Sequence, residues 1–279
     1  MMRRLLVLGM LAGLLASLAA FGFASLAAEP QVDAAIAIEE AAGGHSHAAH
    51  DHGDRGESAG HGAGGADESD GGAITRGVQK GIGLASALGL YGTAMGGLFA
   101  IACAFAYGRI GPARMRGTAA AVALAGFTVV ALVPFLKYPA NPPAVGSEDT
   151  IDRRTGLYVA MLAVTALAAV LAAWAGRFLA LRTERWNAAA AGFLVFCALV
   201  ATAAVAMPPV NEVPADFPAE LLWRFRLSSL GTQAILWAVL GAVFGPLAQR
   251  VLTPADAPRA AGRAGGAAGR GVPAAPPPG

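Results

Sequence analysis

Charge is scarce in this sequence: Asp, Glu, Lys and Arg together make up 14% of its 279 residues. A water-soluble chain of this length needs more charge than that to cover its surface, whereas 56% of these residues are apolar. The net charge is only +2, and the arginines stand at the boundaries of apolar runs rather than along one face. These features argue against a nucleic-acid-binding protein and favour a membrane protein.

Long apolar runs take the place of the missing charge. Each of six runs contains at least 20 residues without Asp, Glu, Lys or Arg, enough for a helix to cross a hydrocarbon core about 30 Å thick. The alternating strands of a barrel are absent, so helices must satisfy the backbone in lipid. We therefore predict an all-α, polytopic helical membrane protein. The runs cover residues 5–28, 81–108, 117–136, 155–176, 186–211 and 227–249.

Motifs for catalysis and for energy coupling are also missing. The sequence has no GxxxxGK[ST] loop for ATP, no HExxH zinc motif, and no histidine inside an apolar run to act as a base. A proton relay through this chain alone is not expected, because the runs contain no ionisable carboxylate, Lys, Arg or His. We expect a passive or secondary permease, or the membrane part of a complex, and not an enzyme.

The runs divide the chain into four predicted regions. Residues 1–28 form the first transmembrane helix or a signal-anchor, and residues 29–80 an extracytoplasmic, acidic, His-rich and largely disordered loop. Residues 81–250 form a five-helix transmembrane bundle with Pro-rich outer loops, and residues 251–279 a disordered cytoplasmic tail. The stretch "EPQVDAAIAIEEA", at the start of the second region, either prolongs the first helix or forms a short surface helix.

The first run allows two interpretations. Its basic start and the site Ser25-Leu26-Ala27 fit a cleaved signal peptide, which would leave five helices. Its length exceeds an ordinary signal core, and Gly9 and Gly13 have the GxxxG spacing of closely packed membrane helices. The pairs Gly92/Gly96 and Gly241/Gly245 share this spacing, although a chain with 37 glycines contains some such pairs by chance.

The distribution of Lys and Arg predicts the orientation. Twelve of the 20 cations fall in short segments on one side of the membrane, so both termini are predicted to be cytoplasmic in a bacterial inner (plasma) membrane. The other side receives most of the acids. The twelve are Arg3, Arg4, Arg109, Arg114, Arg116, Arg177, Arg182, Arg185, Arg250, Arg259, Arg263 and Arg270.

Two predicted outer loops share a pattern. "VPFLKYPANPPAVGSEDTIDRRTGLY" and "MPPVNEVPADFPAELLWRFRLSSLGTQ" each combine prolines, an Asn, several acids, and two arginines that re-enter the membrane. We expect these arginines to pair with loop acids or to anchor at the interface; they are Arg153, Arg154, Arg224 and Arg226. With the first loop, the pattern suggests three outward-opening helical hairpins, 1–108, 117–181 and 186–250.

These two loops, placed after a first helix and a histidine-rich segment, resemble the CbtA family of predicted cobalt transporter subunits. The resemblance implies uptake of cobalt, linked to cobalamin synthesis. It also implies a partner, a small single-helix, histidine-bearing membrane protein called CbtB. The family is often described with five helices, against the six runs counted here.

All five histidines of the chain fall within "HSHAAHDHGDRGESAGH". Neutral imidazole binds Co(II), Ni(II), Zn(II) and Cu(II), and carboxylates can complete the shell. Ordering a loop opposes binding, so a weak site that collects and releases an ion at a transporter mouth is expected. The simpler alternative is a solvated low-complexity linker. The predicted metal ligands are His45, His47, His50, His52, His61, Asp51 and Asp54.

Oxygen ligands beside the proline breaks suggest a second site. If the hairpins meet, an outer vestibule would bring together Glu29, Asn141, Asn211 and Glu212, fed by the histidine loop. The alternative is that the acids are solvated caps and the prolines merely end helices. Cys103 and Cys197 could ligate a soft metal, but packing is the more common role of such residues. Ser229, Thr232 and Gln233 share one helix face, where hydrogen bonding between helices is expected.

The predicted function is that of an integral membrane transporter subunit for divalent transition-metal cations, with Co(II) or Ni(II) as the transported ion and no cofactor. The alternative is a non-transporting, metal-binding accessory or sensor membrane protein. The predicted partners are the metal ion, a CbtB-like protein and the lipid bilayer.

Overall fold

The computed structural model describes residues 1–48, 83–109, 114–146 and 148–252, and the regular elements within these ranges are helical. The elements are, in chain order, α1 (Met2–Ala27), α2 (Glu29–Ala48), α3 (Leu84–Ala106), α4 (Met115–Gly126), a π-helical segment (Phe127–Leu132), α5 (Val133–Lys137), a 3-10 turn (Glu148–Thr150), α6 (Ile151–Leu179), α7 (Arg185–Ala206) and α8 (Ala219–Leu252).

The predicted all-helical, multi-span architecture is confirmed, and the chain is a multi-pass membrane protein. Within the described ranges, six helical stretches are long and apolar enough to cross a membrane. Helices α6 and α8 begin a turn or more before their charge-free runs, because α6 includes Arg153 and Arg154 and α8 includes Arg224. A limit on charge cannot detect a helix whose first turns lie at the polar interface. The six stretches are Met2–Ala27, Ser86–Ala106, Met115–Lys137, Ile151–Leu179, Arg185–Ala206 and Ala219–Leu252.

Glycines bring α1 and α3 into direct backbone contact. A Cβ added at Gly9 would meet the carbonyl oxygen of Gly96, and one added at Gly13 would meet that of Gly92. Residue numbers that rise along one helix fall along the other, so the two helices are antiparallel. Lipid supplies no hydrophobic force to join helices, and close packing of small residues provides van der Waals contact instead. The first run is thus an integral part of the bundle core in this structure.

Helix α8 lies at the centre of the bundle and packs against α1, α3 and α4. Gly241 faces Ala123 on α4, and the ring of Phe23 on α1 lies against Gly231. Phe244 is fully buried, with its ring edge-on to Phe99 at a centroid distance of 5.5 Å. Small residues on α8 therefore admit neighbouring helices, and aromatic rings fill the remaining space.

Helices α6 and α7 form a separate pair. Gly176 and Gly192 let their backbones approach, because a Cβ added at Gly192 would lie 3.0 Å from the carbonyl oxygen of Ala172. The suggested arrangement of three hairpins is not confirmed. Residues 1–108 do contain the packed pair α1 and α3, but α7 packs along α6 and not along α8 as the hairpin 186–250 required. Small residues facing each other, rather than order in the chain, decide this pairing.

Helix α4, the π-helical segment and α5 form one continuous span that ends at the loop end. We use "loop end" for the end of the bundle at which α1 and α5 stop and α6 and α8 begin. The span stops at Lys137, and the chain then passes through Pro139, Pro142 and Pro143. A second proline-rich connection, residues 207–218, joins α7 to α8 at the same end.

Helix α2 packs on both of these connections. Ala35 is fully buried in a small apolar cluster with Val145 of the first connection and Phe217 of the second. The sequence allowed a helix at the start of the 29–80 region, and the observed helix continues to Ala48, which places His45 and His47 in its last turn. The remainder of that region, residues 49–80, lies outside the described residues.

Candidate functional site

A cavity of about 720 Å³ opens among the helices at the loop end. Its walls are α3, the π-helical segment with α5, the first turns of α6 and α8, and the two proline-rich connections. We call it the loop-end cavity. Its lining includes eleven residues with polar side chains: Tyr91, Tyr138, Asn141, Arg154, Thr155, Tyr158, Asn211, Glu212, Arg226, Ser229 and Gln233.

Helical periodicity explains why α6 and α8 contribute several polar groups each. Arg154 and Tyr158 are four residues apart on α6, and residues at this spacing lie on one face of a helix. Ser229 and Gln233 have the same spacing on α8. These two pairs of polar residues therefore face one space.

An ion pair in the cavity wall joins the second proline-rich connection to the start of α6. Arg154 Nε lies 3.4 Å from Glu212 Oε2, and both side chains are about one quarter exposed, at 26% and 23%. The hydroxyl of Thr150 donates a hydrogen bond of 2.8 Å to the same Glu212 oxygen. This carboxylate thus holds the second connection to the start of α6.

Arg226 joins α8 to the first connection through neutral acceptors. Its Nη2 donates to Asn141 Oδ1 at 2.9 Å, and its Nε donates to the carbonyl oxygen of Ala140 at 3.3 Å. Arg224, two residues earlier on the same helix, instead pairs with Glu220 at 2.6 Å on the exposed surface. Arg154 thus pairs with a loop acid as expected, whereas Arg224 pairs with an acid of its own helix and Arg226 with neutral acceptors.

Tyr138 links the first connection directly to the second. Its hydroxyl donates a hydrogen bond of 2.8 Å to the carbonyl oxygen of Pro208. Burial raises the pKa of Tyr138, while the charge of Arg153 acts in the opposite direction and is the smaller effect. The phenol therefore remains a proton donor over the physiological pH range.

Three of the four residues predicted for the outer vestibule line this cavity: Asn141, Asn211 and Glu212. Glu29 is at the start of α2 and does not belong to the lining. The oxygens Asn141 Oδ1 and Glu212 Oε2 already accept hydrogen bonds within the protein. Whether these residues act on a metal ion stays a prediction.

The structure also places the polar residues of "RLSSLGTQ". Ser229 and Gln233 of α8 line the cavity together with Tyr91 of α3. Thr232 donates instead to the carbonyl oxygen of Ser228 in its own helix. Sequence reasoning missed Tyr91 and Tyr158, because a phenol inside an apolar run is counted as an apolar residue.

The predicted histidine site lies mostly beyond what the structure describes. Only the helical backbone of His45 and His47 is defined, and His50, His52, His61, Asp51 and Asp54 lie outside the described residues. In the described part of the chain, no group of three or more His, Cys, Asp or Glu residues is arranged to hold a metal ion. Cys103 is buried in the core and Cys197 is exposed on α7.

A family model described as "Probable cobalt transporter subunit (CbtA)" matches residues 2–249. The matched range includes both proline-rich connections and the helices around the loop-end cavity. No curated protein and no solved structure matches the chain.

Proposed function

Because the chain belongs to the CbtA family, whose description is a probable cobalt transporter subunit, we propose that it conducts a divalent transition-metal ion, Co(II) or Ni(II), through its bundle. The observation that carries this proposal is the loop-end cavity. Half of the residues that line it have polar side chains. An open space of this kind among membrane-spanning helices lets a hydrophilic ion leave the aqueous phase without meeting lipid, where polar groups are unfavourable.

The direction of transport in this proposal is inward, across a bacterial inner (plasma) membrane. The two arginine-rich connections, between α3 and α4 and between α6 and α7, lie in the cytoplasm with both termini. This follows the bias of Lys and Arg toward one side. The loop end, with α2 packed on it, then faces outward. Imported cobalt would supply the synthesis of cobalamin.

The histidine segment collects the ion for the cavity. Helix α2 supports this role, because its contacts with Val145 and Phe217 attach the start of the segment to the two connections that frame the cavity. Imidazoles at residues 45–61 raise the local concentration of metal there and release it readily, since arranging a chain segment around an ion costs conformational entropy. Asp51 and Asp54 contribute oxygen ligands.

A transporter subunit acts together with a partner. The family description implies a transported metal ion and a further component, and the sequence has no nucleotide-binding loop of its own. In our proposal the partner is a small, CbtB-like membrane protein with a single helix.

The ion passes through an outer vestibule in the loop-end cavity. The vestibule is formed by Asn141, Asn211 and Glu212, together with Glu29 from the start of α2.

We expect cells that make the full chain to accumulate radioactive ⁵⁷Co well beyond one ion per protein molecule. Deleting residues 44–62 should slow uptake severalfold at low cobalt and leave the rate at high cobalt unchanged, because the segment only concentrates the ion. The matched control keeps the length and replaces each of the five histidines with Asn. This variant should show the same slower uptake at low cobalt as the deletion if the imidazole groups bind the ion.

Two results would contradict the proposal. Accumulation that saturates at one ion per chain would identify a metal-binding accessory or sensor protein that does not transport. Uptake equal to that of cells without the protein, also when a CbtB-like partner is made together with it, would exclude a permease for cobalt. The same cells supplied with ⁶³Ni compare the two candidate ions.

A further inference from the structure

The loop-end cavity has an excess of positive charge. The charged residues in its lining are Arg154, Arg226 and Glu212. Glu212 pairs with Arg154, whereas Arg226 donates to a carbonyl oxygen and to a side-chain amide oxygen, both neutral. A guanidinium stays protonated in proteins. Within the described part of the chain, the cavity therefore has one cationic group with no carboxylate beside it.

Positive charge opposes the entry of a bare divalent cation. Like charges repel more strongly in a partly buried site than in water, because the effective dielectric constant is lower there. Two of the oxygens that could coordinate the ion already have partners: Asn141 Oδ1 accepts from Arg226, and Glu212 Oε2 accepts from Thr150 and pairs with Arg154. The described residues also offer no cluster of His, Cys, Asp or Glu that would replace the water shell of the ion.

The same charge favours a small carboxylate. Arginine binds carboxylates through paired, charge-assisted hydrogen bonds, and Arg226 has further N–H groups besides the two that bond Ala140 and Asn141. Gln233 Oε1, also in the cavity lining, is buried and has no hydrogen-bond partner among the described residues. It can accept a hydrogen bond from a hydroxyl group or from metal-bound water. A volume near 720 Å³ lies in the range of small-molecule sites.

We propose that the loop-end cavity binds the metal as an anionic complex with a small polycarboxylate, and that Arg226 binds a carboxylate group of the chelator. The proposal rests on the proposed function and specifies its substrate class. The chelator supplies the ligands that the cavity lacks, and its negative charge meets the charge of Arg226. Gln233, Tyr91 and Tyr158 complete the site as neutral hydrogen-bonding groups.

The test is equilibrium binding of the 1:1 Co(II)–citrate complex to the purified full chain in detergent, followed with ⁵⁷Co and ¹⁴C-citrate. The five histidines are replaced with Asn in every sample, so that imidazole does not bind cobalt on its own. We expect both labels to bind in equal amounts. Arg226→Gln should weaken binding of the complex about tenfold, as expected for loss of a charged hydrogen-bonding partner. Arg226→Lys keeps the charge, and its affinity for the complex should lie between those of the parent protein and Arg226→Gln.

Arg224→Gln is the matched control, because Arg224 lies on the same helix but on the exposed surface, paired with Glu220. It should bind the complex like the parent protein. The inference is overturned if Co(II) in a non-complexing buffer binds more tightly than the complex, or if citrate without metal binds equally well. Binding of the complex that does not change in Arg226→Gln overturns it as well.

A competition experiment on the parent protein keeps the test decisive if Arg226→Gln does not fold. Excess metal-free citrate should displace less ⁵⁷Co–citrate than the same amount of unlabelled complex, and equal displacement contradicts the proposal. Failure here is separate from failure of the proposed function. Cells that accumulate ⁵⁷Co from a medium without chelators, through a protein that does not bind the complex, would retain the transport function and lose only this substrate class.

Discussion

Gly13→Leu is expected to separate α1 from α3 and to destabilise the whole bundle. A Cβ at this position meets the carbonyl oxygen of Gly92, which belongs to backbone and cannot rotate away. Overpacking of a tight core costs about 3 kcal/mol of unfolding free energy, which corresponds to a decrease of roughly 6–12 °C in Tm for a chain of this size. Thermal unfolding of the purified protein in detergent measures this change.

The control for this experiment is a second glycine in the same helix. Gly22 is exposed, and a Cβ added there meets no atom within 4 Å. Gly22→Leu should therefore leave Tm within about a degree of the parent value, since substitutions away from contacts change little. If Gly13→Leu melted at the same temperature as Gly22→Leu, the close contact between α1 and α3 would be disproved.

Glu212→Ala is expected to lower cobalt uptake on the order of tenfold. The substitution removes the single carboxylate in the described lining of the loop-end cavity and leaves Arg154 without this partner. It also removes the acceptor for Thr150, so the second connection loses its attachment to the start of α6. Stability should fall by only about 1–2 kcal/mol, because the pair is partly exposed. Initial rates of ⁵⁷Co uptake, corrected for the amount of protein, measure the functional effect.

Glu220→Ala is the matched control for Glu212→Ala. Its ion pair with Arg224 is exposed on the surface of α8, and such pairs contribute about 1 kcal/mol or less, so uptake should not change and Tm should fall less than in Glu212→Ala. Glu212→Gln separates the effect of the charge from that of the attachment, because Gln can still accept the hydrogen bond from Thr150.

The vestibule proposal includes Glu29 as well. Wild-type uptake in both Glu29→Ala and Glu212→Ala would contradict it.

The spans were predictable from sequence because transfer into lipid depends on the hydropathy of the residues in each segment and not on their neighbours in the fold. A helix of about 20 apolar residues is required wherever the chain crosses, and the six runs meet this requirement without reference to any neighbour. Pairing of the helices was not predictable in the same way. Gly176 and Gly192 decide that α6 packs on α7, but in a sequence with 37 glycines nothing distinguishes these two before their facing positions are known.

The residues of the candidate site were likewise predictable from sequence, but their contacts were not. Asn141, Asn211 and Glu212 could be selected from sequence, because each lies next to a proline break or an acid at the same end of the bundle. Their partners could not be selected, since the contacts of Arg226 with Asn141 and of Glu212 with Thr150 join residues 85 and 62 positions apart. Such contacts depend on how helices pair. Tyr91 and Tyr158 were missed because a phenol has the same hydropathy signature whether it faces lipid or a cavity.

The central position of α8 has a consequence for how the protein is made. The ribosome delivers the spans one at a time, and α1 can meet α3, or α6 can meet α7, as soon as each second member has been inserted. Phe99 on α3, by contrast, must wait for Phe244, which is on the sixth of the spans in the described residues. Nascent chains that stop before residue 219 therefore expose to lipid the faces of α1, α3 and α4 that α8 covers in the folded bundle.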